Sequence, residues 1–237
     1  MSWKKLADLP GQKVIGTYGS ELWSLRAAKV WHQGRKLATA DAASFEVFEN
    51  QQFIARDACS IFHAWSRLPN IDRNSFRQLG MYWLDRSSIY FEYETSLKPL
   101  VGSDPLTFRD LGGGYGSDAQ AAWYWGRRMK NCIRSRHLQV MPDNDLYASD
   151  GEQIYCDGKP LRGANPLRWR ILNSGFSGDD QAIYYLERKL PRAHPPSWQH
   201  IHGAWSKDRI HVFHMHLIEK NAVPQCPDPA CAPSCSR

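Results

Sequence analysis

The 237-residue chain has no run of eighteen apolar residues, which excludes a helix crossing a bilayer. Its first residues, Met1 to Gly11, carry no apolar core of the kind a secretory signal requires, so the expected location is the cytoplasm. Gly-x-Ser-x-Gly, His-Glu-x-x-His and the Gly-rich loop ending in Lys-Ser/Thr are all missing. That takes away the sequence grounds for an activated serine, a zinc hydrolase or a nucleotide cradle. Gly112-Gly-Gly-Tyr115 is glycine-rich, but no Lys-Ser/Thr follows it and it reads as a turn joining two units. The expectation is a protein that is not an enzyme, with no catalytic residue, no cofactor and no metal. Cysteines number six. Cys59, Cys132 and Cys156 occupy unrelated positions and read as free thiols. Cys226, Cys231 and Cys235 lie in a Pro-rich stretch where a metal knuckle would lack its fourth ligand. Residues 223–237 are expected to be a loosely attached tail behind a single domain over 1–222.

Aromatic residues are plentiful by contrast, 12% of the chain with ten Trp, and their placement is periodic. Tyr147 to Leu172 form one complete unit. It has an aromatic opening, a polar turn at Asp150, a short strand at Ile154-Tyr155 and a hairpin turn at Asp157-Gly158, where Asp-Gly tolerates the positive φ of a type I′ turn. Asn165-Pro166 then reads as an N-cap and first helical position, with Trp169 and Leu172 on one side of a helical turn. So small a unit cannot bury its own apolar face and needs copies beside it. They are present. Aromatic-x-x-Asp-x-x-x-apolar-aromatic recurs as Tyr82/Asp85/Ile89/Tyr90, Tyr115/Asp118/Ala122/Trp123, Phe176/Asp179/Ile183/Tyr184 and Trp205/Asp208/Val212/Phe213. Ile54/Asp57/Ile61/Phe62 lacks the first aromatic, and Trp23/Arg26/Val30/Trp31 lacks the aspartate. A second column keeps the same offsets: Asp41/Phe45/Phe48, Asp72/Phe76/Leu79, Asp104/Phe108/Leu111, Asn165/Trp169/Leu172 and His194/Trp198/Ile201. In Arg134/Leu138/Met141 the cap is lost.

The stretches Asp85 to Phe108, Asp150 to Trp169 and Asp179 to Trp198 resemble the DKNYY repeat family of bacterial proteins, and the resemblance runs over residues 20 to 216. It implies tandem repeats, and it carries no catalytic residues across. Some proteins similar to that family lie beside secreted toxins in bacteria, which implies an immunity role. The expected fold is mainly β: about seven short hairpins or meanders in a single array, each of two or three strands followed by one helical turn. A period of about thirty residues barely holds the four strands of a propeller blade, so an open array is expected.

The aspartates Asp57, Asp85, Asp118, Asp150, Asp179 and Asp208 each open a turn. An Asx-turn accounts for the residue type without any ligand. The late histidines His194, His200, His202, His211, His214 and His216 allow a zinc site geometrically, with His214 and His216 on one strand face. A solvated face needs no ligand. The sharpest break in the repeat is Gly126 to His137, with Arg127, Arg128, Lys130, Arg134 and Arg136. It reads either as a contact patch for an acidic partner or as a solvated basic loop. A net charge of +6 is compatible with both. The leading expectation is an immunity protein that neutralises a cognate toxin or effector, of type VI secretion or a similar system, acting in the cytosol, for example a nuclease. The alternative is a nucleic-acid- or glycan-binding repeat protein stacking Trp123, Tyr124 and Trp125 on its ligand. Nucleic acid is the less expected partner, and no membrane partner is expected.

Overall fold

The computed structural model describes residues 2–220 except 50, 95 and 174, and the Cys226, Cys231 and Cys235 tail lies outside the described residues. Among these residues the strands form seven small antiparallel sheets, at 13–36, 46–68, 77–99, 109–128, 139–160, 170–189 and 199–218, here the first to the seventh. Each is a meander of four strands in chain order. The second sheet gains a fifth strand from the start of the chain, where Trp3–Lys5 pairs with Glu46–Phe48 and Trp3 lies opposite Phe48. Lys13–Ile15 is the edge strand of the first sheet. The backbone condenses into two compact units, Met1–Asp110 and Leu111–Arg237.

The repeat unit holds four strands where two or three were expected. They fit because they are short, from the six residues of Glu21–Arg26 down to the two of Arg127–Arg128. Tight turns also help. Gln33-Gly34, Trp125-Gly126 and Asp157-Gly158 all take positive φ, between 46° and 77°, and close the third strand onto the fourth. Left-handed turns of this kind match the twist of the strands they join.

The expected helical turn is a single hydrogen-bonded turn that crosses from one sheet to the next. Ser75 donates its N–H to Asp72 O at 3.3 Å, Thr107 to Asp104 O at 3.2 Å and Arg168 to Asn165 O at 3.0 Å. Among the crossovers only Ser135–His137 and Pro195–Ser197 wind into 3₁₀ helix. The sequence unit Tyr147 to Leu172 is therefore split. Tyr147–Ser149, Ile154–Cys156 and Lys159–Pro160 belong to the fifth sheet, and Arg170–Asn173 opens the sixth.

Strand alternation explains the recurring apolar-aromatic pair, since successive side chains leave opposite faces of a sheet. In the second unit Tyr155 joins Tyr115 and Ala122 of the fourth sheet, while Ile154 joins Ala182 and Tyr184 of the sixth. Ile183 faces on to Phe213 of the seventh. In the first unit Phe62 packs with Trp23 and Phe45, while Ile54 and Ile61 pack with Phe76, Trp83 and Tyr90. Both faces of these sheets are covered, so their strands show no apolar-polar alternation. Ile89, Tyr90, Phe108, Ile154, Tyr155, Ile183 and Tyr184 are buried as their columns require. Trp169 and Trp198 are only half-buried. Each sits on a crossover and leans on one ring of its unit, Tyr147 at 4.9 Å and Phe176 at 5.2 Å.

Candidate partner-binding surface

The aspartate column is buried at all six positions. In every copy one carboxylate oxygen accepts the N–H groups two and three residues on. The distances are 2.8 and 2.8 Å at Asp85, 3.0 and 2.8 Å at Asp150, and 2.8 and 2.8 Å at Asp179. The same bonds close the turns at Asp57, Asp118 and Asp208. The second oxygen holds the crossover that enters the same sheet. It accepts the N–H of Asp41, Asp72, Asn165 and His194 at Asp57, Asp85, Asp179 and Asp208, over 2.7 to 3.0 Å. The Tyr90 and Tyr155 hydroxyls donate to Asp85 and Asp150 at 2.8 Å. Burial alone raises a carboxyl pKa, yet at Asp85 the N–H groups of Asp72 and Ser87 and the hydroxyls of Ser87 and Tyr90 outweigh it and hold the group below its usual range. Burial, with the Asp85 charge behind it, pushes Tyr90 up to about 12. The first copy manages without an aspartate because Ala27 and Ala28, both at positive φ, form a two-residue hairpin.

The late histidines are dispersed. The strand carrying His214 ends there, and Met215 turns at φ 55°, so His214 and His216 do not share a strand face. His214 stacks on Trp205 with centroids 4.4 Å apart. His200 uses both ring nitrogens, one toward Asn173 Nδ2 at 2.8 Å and one toward Gly203 O at 2.9 Å. His194 Nδ1 meets Ser197 Oγ at 2.8 Å. Among the described residues no three His, Cys, Asp or Glu side chains gather as a metal site would require.

Of the basic segment, Arg127, Arg128, Lys130 and Arg136 are exposed, and Arg134 is half-buried with Nη1 2.7 Å from Glu152 Oε1. The segment is not a loosened, projecting loop. Arg127–Arg128 is the fourth strand of its sheet, with Trp123 opposite Arg128 and Tyr124 opposite Arg127. The crossover after it keeps its turn without a side-chain cap, because Ser135 Oγ anchors to Asp118 O at 2.9 Å and His137 N–H bonds Arg134 O at 2.9 Å. Trp123 is buried, and Tyr124 donates its hydroxyl to Asp157 Oδ1 at 2.6 Å. Trp125 is 46% exposed and lies over Gly114, where an added Cβ would come within 2.6 Å of the indole nitrogen.

Comparison of the sheets shows a column that the sequence reading missed. Fourth strands carry Arg35–Lys36, Arg67, Lys98, Arg127–Arg128, Lys159 and Arg188–Lys189. Each stands on a strand at the edge of its sheet. Lys and Arg there deter pairing with another chain. Arg127 and Arg128 therefore fill an ordinary slot, and the true departures of this segment are Lys130, Arg134 and Arg136. Carrying the repeat alignment past the hairpin turn, through Gly34-Arg-Lys, Gly126-Arg-Arg and Gly158-Lys, would have found the column.

No curated protein and no solved structure matches the chain. The profile of the DKNYY family matches twice, over residues 23–188 and 82–216. Those spans reach into all seven sheets and take in the six aspartate turns and the basic edge strands, and the chain belongs to the DKNYY family.

Proposed function

We propose that the chain is a non-enzymatic binding protein, an immunity protein that neutralises a cognate bacterial toxin by direct protein-protein contact. The toxin is an effector of type VI or similar secretion acting in the cytosol, such as a nuclease. One observation carries the reading: the polar side chains divide into two uses. The buried carboxylates that catalysis would draw on are committed to backbone N–H groups. The basic side chains of Arg127, Arg128 and Lys130 stand exposed, with no ion-pair partner among the described residues. Arginine forks grip carboxylates in bidentate fashion, and a repeat fold offers a broad surface on which to set them. A basic inhibitor of a nuclease would cover its catalytic carboxylates or hold it at a second acidic face. The nucleic-acid or glycan reading has less support, because Trp123 is buried and the Tyr124 hydroxyl is taken by Asp157.

The test is co-expression with toxins encoded by neighbouring genes. Rescue of growth and a stable complex are expected, with binding that weakens as salt rises. Replacing both Arg128 and Arg134 by Glu should lower the association rate several-fold and leave the melting temperature unchanged. Unchanged binding in that variant would remove this segment from the interface, and a collapsed melting temperature would assign it to the fold.

A further inference from the structure

We propose that a basic trough in the second unit is the seat of an acidic segment of the protein partner, with Arg162 and Lys189 as its principal contacts. This rests on the binding reading above and names the chemistry of the contact. The trough has a volume of about 670 Å³, inside the range of built ligand sites, and is open to solvent. Lys159, Arg162, Arg188 and Lys189 face it together with a single carboxylate, Glu187. Asn131, in the basic segment after the fourth sheet, and His216, in the last hairpin of the seventh, mark how many repeats converge on it.

These cations are mounted on paired backbone rather than on free loops. Lys159 is in register with Cys156, Arg188 with Tyr185 and Lys189 with Tyr184. Arg162 projects from a backbone fixed by the buried Tyr184, whose hydroxyl donates to Arg162 O at 2.9 Å. Glu187 neutralises only its nearest neighbours: Lys159 Nζ lies 3.0 Å away and Arg188 Nε 3.8 Å away. The Arg162 and Lys189 side chains have no ion-pair partner among the described residues. Four cations facing one carboxylate favour an anionic guest. Edge protection explains Lys159 and the Arg188–Lys189 pair on their own strands. It does not explain their convergence with Arg162, which lies beyond the strand.

The fixed carboxylate decides between anions. A nucleic-acid strand presents phosphates at regular spacing and would bring one against Glu187. A polypeptide can set a carboxylate against the Arg162 fork and a backbone N–H or cationic side chain against Glu187. The mixed lining therefore suits an acidic protein segment better than a phosphate polymer.

The probe is a fluorescein-labelled hexaglutamate peptide, titrated with the full chain at low salt and read by anisotropy. We expect saturable binding that weakens as salt rises. It should fall at least tenfold in R162E/K189E, change little in R35E/K36E on the edge strand of the first sheet, and fall by less in R162Q/K189Q. The Gln pair keeps the test decisive if the charge-reversed protein fails to fold. Absence of binding to hexaglutamate, or equal loss in R35E/K36E, would overturn the assignment. So would tighter binding of a twelve-residue oligo-dT that is lost in the same R162/K189 variants, which would make the trough a nucleic-acid site. Hexaglutamate binding without neutralisation of any neighbouring toxin would keep the trough and discard the immunity reading.

Discussion

At the scale of single residues, one carboxylate per repeat does the work of several hydrogen-bond acceptors. Asp85 accepts from the N–H groups of Asp72, Ser87 and Ser88 and from the hydroxyls of Ser87 and Tyr90. Asp85→Ala strands these donors, and leaving a buried donor unpaired costs about 1–3 kcal/mol. A loss of at least ~3 kcal/mol is expected by denaturant titration, with Asp85→Asn milder because it keeps an acceptor toward the turn. His32 poses the opposite problem. Its ring is fully buried, 4.2 Å from Trp23 and 5.4 Å from Trp65, and neither nitrogen has a partner among the described residues. Burial, helped by His63, lowers its pKa from 6.5 to about 4. The unfolded chain thus takes up a proton before the folded one does. Stability is full above pH 6.5 and declines as pH falls toward 4, by up to about 3 kcal/mol. Asp85 and Asp208 lose their contribution only as pH falls below 3.8, so a decline between pH 7 and 5 is not theirs. A shallower decline over that range in His32→Leu than in the parent is the expected result.

At the scale of elements, the strands with strong side-chain signals were legible and the weak ones were not. The pairs Ile154-Tyr155 and Ile183-Tyr184 mark the third strand of a sheet because alternation sends one side chain to each neighbouring sheet. The aspartate turns were equally legible, since an Asx-turn is local chemistry. In five of the seven sheets the fourth strand is two residues, such as Arg188–Lys189, too short for any periodicity to register. The boundary between sheets was hidden for another reason. Arg170–Asn173 pairs forward with Phe176–Gly178, and nothing in its own residues tells which neighbour it will choose. The basic edge column is hidden because one or two Lys or Arg after a hairpin turn carry no apolar period. Edge position also makes Arg127 and Arg128 guards of an open ladder. Arg127→Val with Arg128→Val should leave the melting temperature within about 1 °C but promote association, seen as concentration-dependent mass by light scattering. A variant whose mass matches the parent's at every concentration would show that the charges are not needed as guards.

At the scale of the whole molecule, the strand Trp3–Lys5 stands apart, because it bypasses the adjacent first sheet and joins the second. Trp3 meets Phe48 edge-on at 4.8 Å, the Arg56 guanidinium lies 4.2 Å from its ring centroid, and Leu6 just beyond is fully buried in the core of the first two sheets. Deleting residues 2–8 uncovers the Glu46–Phe48 edge and empties the Leu6 site, which alone is worth about 2–5 kcal/mol. Hydrogen exchange should then speed up in the first and second sheets while the amides of 111–220 keep their protection. Uniform loss throughout would mean that the two compact units unfold as one. The same strand also bears on the order of events during synthesis. Contacts within a meander close over a few residues, but Trp3 waits for Phe48, and closing so long a loop carries an entropic cost that neighbouring hairpins avoid. The first sheet can therefore form while the ribosome is still making the second, and the chain's opening residues are among the last of their unit to be locked. A nascent chain with residues up to about 40 clear of the ribosome would leave Trp3–Lys5 open to protease, and the protection would appear only once the Glu46–Phe48 strand has emerged.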